Sequence, residues 1–130
     1  MTNPRSVLVV DDQAPFRSAA RAVLRRLEGF EFAGEASSGP EAIELVDVLH
    51  PALVLMDINM PEMNGIEATR TMVSRRPEVV VILCSTYDAG DLPAEVATSG
   101  ARAYLHKEHL GADVLRRLWE GRDAQDFMSA

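Results

Sequence analysis

Cysteine is almost missing from this chain. The one thiol, Cys84, follows the apolar run from Val79 to Leu83. A single cysteine excludes an internal disulfide, and its position at the end of an apolar run predicts a buried, inert group. Positive charge is also in short supply. Thirteen basic residues face twenty acidic ones, for a formal charge of −7. That balance argues against this chain alone binding nucleic acid, which needs a basic face. It suits a cation or a basic partner surface. No apolar run approaches the roughly 18 residues of a membrane helix. The opening Met-Thr-Asn-Pro-Arg-Ser has no signal-peptide pattern. No membrane contact is therefore expected, and the cytoplasm is the default location. The three histidines, His50, His106 and His109, are scattered. A His-based metal site is not expected, because such sites need convergent ligands. Lysine is the scarcest of the charged types. Lys107 stands alone among twelve arginines, which predicts a position that a guanidinium would not serve.

What is present is a chain of 130 residues, 47% of them apolar, long enough for one domain with a real core. Short apolar runs alternate with helical patterns. Ser6 to Val10, Ala52 to Met56, Val79 to Cys84 and Arg102 to Leu105 read as buried strands. Phe30 to Ala36 alternates and reads as an edge strand with one wetter face. Helical stripes run through Phe16 to Leu27, Ala42 to Leu49, Ile66 to Val73, Leu92 to Ala97 and Leu110 to Trp119. The fourth is expected to be short and the least stable, with few apolar contacts to offer. Five strands alternating with five helices predict an α/β fold, an open doubly wound parallel sheet of order 2-1-3-4-5. Residues 1–120 form the expected domain, and 121–130 a tail expected to fray.

Such sheets bind ligands beyond the carboxyl ends of their strands. Strand 1 ends in Asp11-Asp12, and the next strand over, strand 3, ends in Asp57. Any one Asp could simply open a turn or cap a helix. Three gathered at one edge repel one another, however, and call for a cation. Few oxygen ligands, with room left for water and phosphate, favour Mg²⁺ over a caged Ca²⁺. Strand 4 ends in Ser85-Thr86, and strand 5 is followed by Lys107. A carboxylate nucleophile flanked by a divalent cation and an ammonium is equipment for forming an acyl phosphate.

With these residues in place, the chain resembles the receiver domain of two-component response regulators over about residues 5–120. The matching stretches are Val7-Leu8-Val9-Val10-Asp11-Asp12, Leu55-Met56-Asp57-Ile58-Asn59-Met60-Pro61 with Asn64-Gly65, Ser85, Gly100-Ala101 and Tyr104-Leu105-His106-Lys107. The resemblance implies a flavodoxin-like fold and a phosphoacceptor, Asp57, charged by a sensor histidine kinase or phosphotransfer protein. It implies Mg²⁺ held by Asp12, Asp57 and the Asn59 carbonyl, with Asp11 assisting. Lys107 would contact the phosphoryl oxygens, Ser85 would move toward them, and Tyr104 would follow from exposed to buried. A downstream protein partner, and a homodimer on phosphorylation, are further implications. Catalysis would be confined to the domain's own phosphoryl transfer and dephosphorylation.

The wording Met-Pro-Glu-Met-Asn-Gly-Ile-Glu-Ala-Thr-Arg is closest to the subgroup that often carries a helix-turn-helix output domain. A stand-alone receiver is the expectation; the alternative is the receiver part of a DNA-binding regulator. A receiver-like module that is never phosphorylated ranks below both. A phosphatase using an aspartyl phosphate would want a second Asp two residues after the nucleophile, where Asn59 stands. The chain departs from the family pattern in two places. Glu108 replaces a frequent proline after the lysine, so no cis peptide is expected there. Thr86 replaces a small residue after the switch hydroxyl, which leaves Ser85 and Thr86 both open as the switch.

Overall fold

The computed structural model describes residues 4–124 and 126–130. Among these residues, six parallel strands form one sheet of order β2-β1-β3-β4-β5-β6. They are β1 (Arg5–Val10), β2 (Phe30–Ala36), β3 (Leu53–Asp57), β4 (Val80–Ser85), β5 (Ala103–His106) and β6 (Met128–Ser129). The expected 2-1-3-4-5 order is present, with one strand added at its end. Every residue of β3 and β4 is buried, as unbroken apolar runs require when helices cover both faces.

Among the described residues, four α-helices do the covering: α1 (Ala14–Arg25), α2 (Gly39–Leu49), α3 (Gly65–Arg75) and α4 (Ala112–Glu120). Alternate strand residues face opposite sides, so the interior divides in two. Leu8, Val10, Val54, Met56, Val81 and Leu83 pack with Val46 of α2 and Met72 of α3. Val7, Val9, Leu53, Leu55, Ile82 and Leu105 pack with Leu24 of α1 and Leu115 and Leu118 of α4. Pro15 lies in the first turn of α1, where its missing N–H leaves no bond unmade. Ser38 caps α2 by accepting the Glu41 amide, and Asn64 caps α3 by accepting that of Glu67.

Two expectations need correction. The fifth helix, expected around Leu92 to Ala97, is absent: the segment folds as two 3₁₀ turns, Ala89–Asp91 and Ala94–Val96. Pro93 sits between them in an extended conformation, and only Val96 of the stripe is fully buried. The segment thus lacks both the continuous backbone bonds and the apolar face that a helix needs. The tail, in turn, returns to the sheet. Met128 lies opposite Ala103, and Ser129 opposite Tyr104. Fraying would leave β5 with an unpaired edge, and the returning strand covers it.

The lone tryptophan, Trp119, meets Phe30 edge-on with centroids 5.4 Å apart, and lies beneath the guanidinium groups of Arg5 and Arg122. It borders a cleft with His50, Pro51, Ala52 and Val80, at the amino ends of β3 and β4.

Candidate functional site: an acidic edge with one ammonium

At the opposite end of the sheet, β1 and β3 stop side by side. Asp11, the residue after β1, is fully buried, and Asp57, the last residue of β3, is 3% exposed. Asp12 is exposed. One carboxylate oxygen from each of the three lies within 4.8 Å of the others. Lys107 reaches in from the far side of the sheet, where it opens the 3₁₀ turn Lys107–His109 after β5. Its Nζ lies 2.6 Å from Asp11 Oδ2 and 3.3 Å from Asp57 Oδ1. The Phe16 ring backs it at 4.8 Å.

Both carboxylate oxygens of Asp11 are engaged. Oδ2 meets Lys107, and Oδ1 accepts the Gln13 amide at 2.8 Å. Its carbonyl accepts from Arg17 Nη1 at 2.7 Å. Phe16 and Arg17 therefore brace the site from the first turn of α1. In the sequence they read only as parts of a helix. Their one signal is position, directly after an acidic pair at a strand end.

The electrostatics follow from burial. Desolvation, and then the neighbouring Asp11 charge, raise the Asp57 pKa from 3.8 to about 6, against the lowering effect of Lys107. Burial alone would lower Lys107, but its bonds and charges shared with Asp11 and Asp57 outweigh it and leave the ammonium raised. Three clustered carboxylates, two of them bonded to one ammonium, leave negative charge in excess. The donors are all oxygen, a set that fits a hard divalent cation such as Mg²⁺.

The turn after Asp57 is shaped by close backbone approach. The Ile58 amide bonds to Cys84 O, and the Gly65 amide to Ile58 O at 2.8 Å. A Cβ on Gly65 would fall 2.0 Å from the Asp57 carbonyl oxygen, so only glycine fits there. Asn59 is exposed. Its amide points at Asp57 Oδ1 at 3.4 Å, and its side chain meets the Tyr87 hydroxyl at 3.5 Å.

Ser85 and Tyr104 form a separate, neutral network beside this edge. Ser85 Oγ lies 2.7 Å from the Tyr104 hydroxyl and accepts the Tyr87 amide at 3.1 Å. The Tyr104 hydroxyl also lies 2.6 Å from the Tyr87 carbonyl and 3.0 Å from that of Ser85. At 1% exposure, Tyr104 is in the inward position. Thr86 is exposed. Cys84 is fully buried, and burial pushes its thiol pKa up, in line with its place at the end of an apolar run. No peptide bond among the described residues is cis, in keeping with Glu108 after the lysine.

Comparison with known proteins points the same way. The family model for the response regulator receiver domain matches residues 7–118. The chain is 38% identical over 113 residues to the transcriptional regulatory protein DegU of Brevibacillus brevis, covering 87% of this chain and 48% of that one. It is 36% identical over 114 residues to the chemotaxis protein CheY of Thermotoga maritima, covering 88% and 94%. A chain in the crystal structure of the CheX–CheY–BeF₃–Mg²⁺ complex from Borrelia burgdorferi superposes with a TM-score of 0.81 at 27% identity, covering 91% of this chain and 89% of that one. The chain spans about half the length of several curated relatives it matches, DegU among them. A match along nearly the whole sequence, on a fold whose acidic edge has just been described, establishes that this chain belongs to the family of response regulator receiver domains.

Proposed function

We propose that this receiver works in two-component signalling by taking a phosphoryl group on Asp57. The observation that carries the reading is the setting of that carboxylate: buried at a strand end, beside Asp11 and within 3.3 Å of the only lysine. Asp12, Asp57 and the Asn59 carbonyl, backed by Asp11, are the residues that would hold Mg²⁺. When bound, that ion neutralises the phosphoryl oxygens during transfer. An Asp57 carboxylate oxygen attacks phosphorus. The new P–O bond forms as the bond to the leaving group breaks, and the electron pair departs on the imidazole of a phosphohistidine or the carboxylate of acetyl phosphate. Lys107 is already charged and in place to hold an equatorial oxygen without reorganising. Ser85, one strand over, is the hydroxyl that turns toward the group once formed, and Tyr104 is its partner.

The donor is a sensor histidine kinase or phosphotransfer protein, and the output is a protein partner whose binding face changes on phosphorylation, self-association included. The related Borrelia structure is of a complex with BeF₃ and Mg²⁺, which supports the same ligand pair here. A second reading, that these residues are the receiver part of a transcriptional regulator, draws on DegU and the share of it they match.

The test is labelling with acetyl phosphate and Mg²⁺, followed by intact-mass spectrometry. The parent chain should gain the mass of one phosphoryl group, and Asp57→Asn should gain none. Undiminished labelling of the variant would overturn the assignment.

A further inference from the structure

The returning tail is not needed to complete the acidic edge, yet it is tied to Tyr104, the β5 residue whose hydroxyl meets Ser85 and Tyr87. The Ala130 amide donates to the Tyr104 carbonyl at 2.9 Å, and the Ala130 carbonyl accepts the His106 amide at 2.7 Å. Side chains anchor it on both faces of the sheet. Phe127 packs against the interior that contains Tyr104, and Met128 and Ala130 against the other. Ser129 lies opposite Tyr104 in register, on the same face as its ring. Beside that ring is a cavity of about 160 Å³, lined by Asp88, Tyr104, His106, His109, Ser129 and Ala130. Two of the six belong to the tail. Both lie on the outer side of β5, between Tyr104 and the open edge of the sheet.

From this placement we propose that residues 126–130 are a strap that, docked on β5, holds Tyr104 inward and thereby fixes the loop carrying Ser85. The link is continuous. The Tyr104 hydroxyl is within hydrogen-bond distance of the Ser85 and Tyr87 carbonyls and of Ser85 Oγ. A strap that keeps the ring in place keeps three points of that loop in place. When Ser85 must present its hydroxyl at Asp57, a loop already ordered loses less freedom than a loose one. Docking of the strap and occupancy of the acidic edge then favour each other, and linkage makes the coupling reciprocal. The plainer alternative is that the strap only shields an open edge from pairing with other chains. That would leave Ser85 and Asp57 indifferent to it.

Two substitutions in the full chain loosen the strap by different means. Ala130→Pro removes the amide that bonds to Tyr104. Phe127→Asp removes an apolar anchor. Neither residue belongs to the acidic edge. Hydrogen exchange, without any ligand, should quicken at the His106 amide in both variants and also at the Tyr87 amide, which bonds to Ser85 Oγ. Faster exchange at His106 with no change at Tyr87 would overturn the coupling, as would no change at either in variants that circular dichroism finds folded. The second readout rests on the proposed phosphoacceptor role of Asp57. Beryllofluoride with Mg²⁺, followed by fluorine NMR, should bind both variants about fivefold more weakly or worse. Equal affinity in parent and variants would also overturn the strap. Failure of the parent itself to bind would count against the phosphoacceptor reading instead, and the exchange result would still decide the strap.

Discussion

The two halves of the sheet's carboxyl edge behave in opposite ways. At β1 and β3, three carboxylates crowd together, two of them bonded to a single ammonium, and burial raises the Asp57 pKa to about 6. Around Ser85 and Tyr104, at β4 and β5, the bonded groups are neutral hydroxyls and backbone groups, each within hydrogen-bond distance of another. The first half stores an electrostatic cost that a cation or a change of charge can relieve. The second half, built of neutral hydrogen bonds, carries no such electrostatic cost. A receiver needs both properties: a place where added charge matters greatly, and a neighbour able to answer it.

The sharpest way to break this contrast is to remove the ammonium. Lys107→Met leaves Asp11 and Asp57 facing each other in a buried site. It should lower stability by about 3 kcal/mol at pH 7. Urea unfolding checks this, and the loss should shrink at pH 4.5, where Asp57 takes up a proton. A loss independent of pH would mean that the lysine matters for packing alone.

Next comes the carboxylate itself. Asp57 ionises at about 6 in the folded chain against 3.8 as its ordinary value. The unfolded chain therefore gives up the proton first, and folding stability falls as pH rises from about 4 to about 6. Above that window the penalty is constant. Asp57→Asn escapes it, so the variant should match the parent near pH 4 and exceed it by about 2 kcal/mol at pH 7 without divalent ions. Millimolar Mg²⁺ should narrow the gap by stabilising the parent. A variant less stable than the parent at pH 7 would put the stored cost elsewhere.

The smallest effect belongs to the neutral half. Tyr104→Phe keeps the ring and removes the hydroxyl. It should cost about 1 kcal/mol at every pH from 4 to 8. A pH-dependent loss would show that the two halves are electrically one.

Much of this is legible in the residues. The four apolar runs and the alternating fifth strand can be read because strand burial leaves a direct pattern, and βα alternation restricts the order of the sheet. Asp11, Asp57, Ser85 and Lys107 can be placed at one edge because each stands at or just after a strand end. What cannot be read depends on contacts distant in sequence. The bond from Lys107 to Asp11 spans 96 positions, and that of Tyr104 to Ser85 spans 19. No periodicity encodes either. The turns around Pro93 imitate a weak helix because Leu92 and Val96 sit at helical spacing, and spacing alone does not reveal a segment with too little apolar face. Phe127 to Ala130 is too short for any period to show.

The position of Trp119 has a practical outcome. Its ring sits by the amino ends of β3 and β4, stacked among arginines, with the whole length of the sheet between it and Asp57. Its emission will track the melting of the molecule faithfully while staying dark to whatever lands on the acidic edge. A reporter dye for signalling must be introduced elsewhere.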